Sequence, residues 1–165
     1  MKHVYYCAGM FILFLIQAMC GTFYFDIKPN FLLIFALCLA VTDSLNVGLV
    51  YGIISGFLLD VSGSITFGSN ILLMMYFVLL CGIVFSVYFT PNYFAGVIFV
   101  SLGTLVYELI FYLFNFTIWG KGDFLYALQK LIIPEFLYNT LFVLLILGFI
   151  MKVCKKYTTA PKNFL

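Results

Sequence analysis

Glu108 is the residue in this chain with the greatest capacity for chemistry. It stands deep inside an apolar run, and Ser101, Thr104, Glu108 and Asn115 follow one another at offsets of three, four and seven residues. Those offsets put all four on one face of a helix, with Gly96 and Gly103 on the adjacent strip. A carboxyl at such depth costs at least about 3 kcal/mol if it faces lipid, so this face should look into protein or a cavity. Two readings follow. The face is a proton or cation relay or a polar solute site, or Glu108 is a structural carboxyl hydrogen-bonded to Tyr, Ser or Thr on another helix. The chain has no arginine to pair with it.

A second pattern lies upstream. Gly48, Gly52 and Gly56 recur every fourth residue, Asp60 takes the next step, and Ser55 sits beside the stripe. Small residues at this spacing let another backbone approach closely, either a partner subunit's or that of a neighbouring helix in the same bundle. Asp60 falls at the end of its apolar run, where it would cap or anchor the loop that follows. Glu135 comes directly after Pro134, with Asn139 one turn on; an acid in a first turn complements the helix dipole. Gln17 is a lone amide suited to a helix–helix hydrogen bond, and His3 is too near the terminus to be informative.

Enzymatic templates do not fit. There is no H-E-x-x-H, no Ser–His arrangement and no paired aspartates within the apolar runs, so the groups that would activate a nucleophile are missing. The G-x-x-x-G spacing lies inside an apolar helix rather than in a phosphate-binding loop. No catalytic, cofactor-binding or metal-binding set is expected.

The elements carrying these residues must be membrane helices. Hydrophobic residues make up 65% of the chain and charged ones 8%, against about 45–50% and 25% in soluble domains. Mean hydropathy is +1.20. Six acids and eight lysines cannot clothe a soluble surface, which excludes a soluble enzyme, a nucleic-acid binder and a disordered regulator. A helix needs about 20 residues to cross the hydrocarbon layer. Polar breaks at Asp26–Asn30, Thr42–Asn46, Ser62–Asn70, Thr90–Asn92 and Trp119–Lys130 divide the chain into spans near 4–25, 31–42, 47–61, 71–89, 93–116 and 132–151. The expected fold is an all-α integral membrane protein, one transmembrane domain with about six helices. The second and third are short and form a tight hairpin. Ser69 or Asn70 is the expected N-cap of the fourth.

The run from Val4 to Phe25 is too long for a signal-peptide core, and Met19 before Cys20 is a poor lipoprotein signal. It reads as a retained helix. The five cysteines are scattered, with no C-x-x-C pair, and give no support to a disulfide framework or zinc site. Lys152, Lys155, Lys156 and Lys162 crowd residues 152–165, which reads as a basic cytoplasmic tail. With six spans the N-terminus and Lys2 share that side.

Several stretches resemble the MreD family, the rod shape-determining membrane proteins of bacteria. They are Pro29-Asn30-Phe31-Leu32-Leu33, the glycine-spaced run from Gly48 to Asp60, Phe67-Gly68-Ser69-Asn70, and Ile133-Pro134-Glu135-Phe136-Leu137-Tyr138-Asn139. The hairpin Thr42-Asp43-Ser44-Leu45-Asn46 departs from the family, whose members often carry basic residues there. The resemblance implies a non-enzymatic scaffold of the cell-elongation machinery in the cytoplasmic membrane. Its partners would be an MreC-like scaffold protein and, indirectly, MreB filaments and a peptidoglycan synthase pair. Such proteins are similar in arrangement to the substrate-capture subunits of energy-coupling-factor vitamin transporters. That similarity provides the competing reading, in which Glu108, Ser101 and Thr104 line a pocket.

Overall fold

The computed structural model describes residues 2–20, 29–62, 67–89, 92–113 and 128–157. Among them the chain forms six α-helices and no strand: α1 (Lys2–Cys20), α2 (Phe31–Thr42), α3 (Leu45–Val61), α4 (Ser69–Tyr88), α5 (Tyr93–Tyr112) and α6 (Ile133–Tyr157). A π-helical turn, Leu128–Ile132, leads into α6. Four of them, α1, α4, α5 and α6, are long and apolar enough to cross a membrane. Successive helices run up and down, and the protein is a helical membrane bundle.

Helix boundaries have local causes. Ser44 starts α3 two residues before the expected position, its Oγ accepting from Val47 N at 3.4 Å. α6 continues past residue 151 to Tyr157, so Lys152 and Lys155 project from a helix rather than from an irregular tail. The last residues of the expected first and fifth spans, 21–25 and 114–116, lie outside the described residues.

The organising element is α2. It packs against each of the other five helices, and Phe31 through Leu39 are each no more than 1% exposed. A helix apolar on every side is stable only where it is enclosed on every side, and the sequence Phe31-Leu32-Leu33-Ile34-Phe35-Ala36-Leu37-Cys38-Leu39 meets that condition. At its C-terminal end Thr42 Oγ1 bonds back to Cys38 O at 2.7 Å and the chain turns at Asp43 into α3.

The glycine stripe seats α3 against its neighbours within this chain. A Cβ on Gly48 would lie 2.6 Å from Ala40 Cα on α2, and one on Gly56 would lie 2.7 Å from Ile71 Cα on α4. Gly52 faces the Val78 side chain, at 3.2 Å. The close approach permitted by missing side chains therefore serves intrachain packing, with Ser55 buried beside it and its Oγ 3.8 Å from Met10 Sδ on α1.

The outward faces invert the soluble pattern. Leu72, Tyr76, Leu80, Ile83 and Val87 are exposed on α4, and Leu137, Leu141 and Leu145 on α6. The three- and four-residue steps make apolar stripes along the outside of the bundle, as contact with lipid requires.

At the end of the bundle where α2 turns into α3, Lys2 Nζ bonds both carboxylate oxygens of Asp43 at 3.0 Å. Tyr6 donates to Asp43 Oδ2 at 3.2 Å and its hydroxyl lies 3.0 Å from Cys154 Sγ on α6. Both ends of the described chain therefore meet at this Asp43 end. The hairpin lacks its own basic residue, and α1 supplies one. His3 is engaged here too: its carbonyl accepts from Tyr51 Oη at 3.2 Å and its ring stands edge-on to Tyr6.

Candidate functional site

The opposite end gathers Gln17, Glu108, Glu135 and Asn139, polar residues from within three helices. With 12 residues, α2 is about 18 Å long, too short for the roughly 30 Å hydrocarbon layer. One of its ends must stop inside the bundle. The C-terminal end is tied to Lys2, and the N-terminal end, at Asn30, lies against α1 and α6.

A helix N-terminus leaves backbone N–H groups without intrahelical acceptors, and in an apolar surrounding each must find another. Three separate elements provide them. Asn139 Oδ1 on α6 accepts from Asn30 N at 3.1 Å. Gln17 Oε1 on α1 accepts from Leu32 N at 3.3 Å. Asn30 caps its own helix, its Oδ1 accepting from Leu33 N at 3.2 Å. Gln17 and Asn139 thus have one shared task that their positions in the sequence do not reveal.

Two acids complete this end. Glu108 on α5 is buried, and its carboxyl faces that of Glu135 on α6, with the Asn30 side chain also on Glu108. Glu135 was expected to serve its own helix dipole; it also interacts directly with Glu108. Two buried atoms of the group have no hydrogen-bond partner, Glu108 Oε1 and Asn139 Nδ2. The remainder of the expected face is divided. Thr104 is buried and bonds to Ser101 O at 2.8 Å, the buried Ser101 Oγ is unpartnered, and Asn115 lies outside the described residues. Pro134 stands in the first turn of α6.

A second polar knot adjoins the first. Asp60, at the end of α3, is buried and caps α4 from outside it. Oδ2 accepts from Gly68 N at 3.0 Å and Ile71 N at 3.2 Å; Oδ1 accepts from Asn70 N at 3.2 Å and Asn70 Nδ2 at 3.0 Å. The N-cap position belongs to Gly68, at φ +93° and without a side-chain bond. This corrects the expectation of Ser69 or Asn70 as the cap: the left-handed turn favours glycine, and the acceptor comes from the preceding helix. Tyr107, next to Glu108 in sequence, donates to Asn70 Oδ1 at 3.4 Å and so joins the two knots.

No family model, curated protein or solved structure matches this chain. The chemistry of the site therefore rests on its own geometry. Among the described residues no group of three or more His, Cys, Asp or Glu is placed to hold a metal ion, and Cys7, Cys38, Cys81 and Cys154 are free thiols. The arrangement offers hydrogen bonds to a buried helix end and an acid pair beside it.

Proposed function

We propose that this protein is a non-enzymatic membrane scaffold of the bacterial cell-elongation machinery, of the MreD type. In that reading it is seated in the cytoplasmic membrane with both termini in the cytoplasm. It acts by holding an MreC-like protein and, through it, MreB filaments and a peptidoglycan synthase pair.

The observation that carries the reading is how the four stretches resembling that family meet in space. Asn30 from the first is bonded to Asn139 from the last. Asp60, which closes the glycine-spaced run, is bonded to Gly68 and Asn70 of the following stretch. The stretches that resemble the family thus meet in two hydrogen-bonded groups at one end of the bundle. Asp43, Asp60 and the glycines serve the packing of the bundle, while the outward faces of α1, α4 and α6 offer apolar surface to lipid and partner helices.

Affinity purification of the tagged chain from its native membranes in mild detergent, with mass spectrometry of the recovered proteins, tests this. Recovery of a single-span coiled-coil protein together with wall-synthesis enzymes is the expected result. Recovery of an ATPase pair with a second membrane subunit would replace the scaffold with a solute-capture subunit.

A further inference from the structure

The acid pair at the N-terminal end of α2 is not accounted for by capping. Helix N-termini attract carboxylates because their N–H groups need acceptors, but here those of Asn30, Leu32 and Leu33 already bond to amide oxygens of Asn139, Gln17 and Asn30. Neither Glu108 nor Glu135 is among the acceptors. The carboxyls instead face each other beside the Asn30 side chain, with Glu108 buried and Glu135 half-buried.

Among the described residues no basic side chain answers them. The chain has no arginine, and the lysine side chains that are described, Lys2, Lys152 and Lys155, belong to the start of α1 and the last turns of α6, at the Asp43 end. The other ionisable groups nearby are Tyr107 on α5 and Asp60 on α3, neither of them a source of positive charge. From α1 the group receives Gln17, from α2 Asn30 and from α6 Asn139, all uncharged. Meanwhile Glu108 Oε1, on a residue 8% exposed, is a buried acceptor with no donor. Two carboxylates sharing a site cannot both stay ionised unless a positive charge joins them.

We propose that Glu108 and Glu135 bind one small positive charge between them, a proton shared by the two carboxyls or a single alkali cation. The chemistry of the two is the same: one unit of charge bridging two carboxyl groups, with Glu108 Oε1 as a free ligand atom. The consequence is that α5 and α6 are joined across the end of α2 by a bound ion rather than by side-chain contacts alone. The inference does not depend on the scaffold reading, since it concerns only what the pair holds.

The full chain, purified in lipid nanodiscs, allows both sources to be distinguished. Infrared spectra report a protonated carboxyl by its C=O band, and melting curves in sodium, potassium or choline chloride at equal ionic strength report an alkali ion. A protonated-carboxyl band that disappears or moves in Glu108→Gln and in Glu135→Gln, with melting indifferent to the salt, supports the site with a proton as occupant. Saturable stabilisation by sodium or potassium over choline, abolished in the same variants, supports it with a metal ion. If one variant fails to fold, the other assigns the signature to the pair. Absence of both signatures in the wild type would overturn the proposal, and so would a band unaffected by both substitutions together with salt-independent melting. Partner recovery in the purification above has no bearing on either readout.

Discussion

Replacing single glycines by alanine tests the packing of α3 directly, because the same added methyl meets different surroundings at each position. At Gly56 the new Cβ would sit 2.7 Å from Ile71 Cα and 2.9 Å from Asn70 O, and at Gly48 it would sit 2.6 Å from Ala40 Cα. Carbon atoms pack at about 3.5–4.0 Å, so α3 must retreat from its neighbour by about 1 Å, and backbone cannot rotate aside as a side chain can. Overpacking of this kind costs about 1–3 kcal/mol, and alanine returns about 1 kcal/mol through its higher helix propensity. The net loss for Gly48→Ala or Gly56→Ala is about 0–2 kcal/mol, up to about a thirtyfold fall in the folding constant. At Gly52 the contact is a Val78 methyl at 3.2 Å, which can yield, and at Gly103 the nearest atom is Leu37 Cδ1 at 3.5 Å, an ordinary separation. Gly52→Ala should change stability little, and Gly103→Ala should be neutral or slightly stabilising. The buried Cys38 thiol in α2 is a natural reporter: a thiol-reactive dye reads its exposure as the detergent-solubilised protein is heated. The expected order of melting temperatures places Gly48→Ala and Gly56→Ala lowest. Equal melting of Gly56→Ala and wild type, or a lower value for Gly103→Ala, would refute the packing argument.

Other substitutions probe the two ends of the bundle. Asp60→Ala leaves four donors on Gly68, Asn70 and Ile71 without their acceptor. With about 1–3 kcal/mol for each unsatisfied buried group, partly relieved by relaxation, a loss of about 3–6 kcal/mol is expected, seen as low membrane yield and early melting. Asp60→Asn should lose less than Asp60→Ala in the same assay, because one oxygen still accepts. Gln17→Leu removes the acceptor of Leu32 N and should cost about 1–3 kcal/mol, while Gln17→Glu keeps an acceptor and should lose less; equal melting of Gln17→Leu and wild type would contradict the assignment. Asp43→Lys sets two cations together at the Lys2 site and should lower the melting temperature. Adding Lys2→Asp should restore part of the loss, and failure of the double variant to recover any would count against the ion pair.

Much of the architecture is legible in the chain. Runs of apolar residues separated by polar breaks place all the helices, and the limits of α2 at Phe31 and Thr42 follow from Asn30 before it and Asp43 after it. The glycine spacing marks close packing, though not which neighbour receives it, because a four-residue step specifies a face and not its partner. The central position of α2 is harder to read. A membrane helix is apolar whether it faces lipid or protein, so composition does not separate an enclosed helix from a peripheral one. The length of α2 was the available signal, since a helix too short to span must end inside something. The same reasoning would have united Gln17, Asn30, Glu108, Glu135 and Asn139, which taken singly do not point to one another. Asp60 illustrates the opposite case: its partner loop was evident from adjacency, but the positive φ of Gly68, which takes the N-cap position from Ser69 and Asn70, was not.

The enclosure of α2 also constrains how the protein is made. α1 and α2 are synthesised before α6, yet the acceptor for Asn30 N is on Asn139 and the second carboxyl is on Glu135, both in α6. Until α6 enters the membrane, the α2 terminus lacks that acceptor, and lipid offers no substitute. The enclosure of α2 is therefore completed only when α6 joins the bundle. A chain cut short before α6 would leave the Asn30 N–H at that terminus without its Asn139 acceptor.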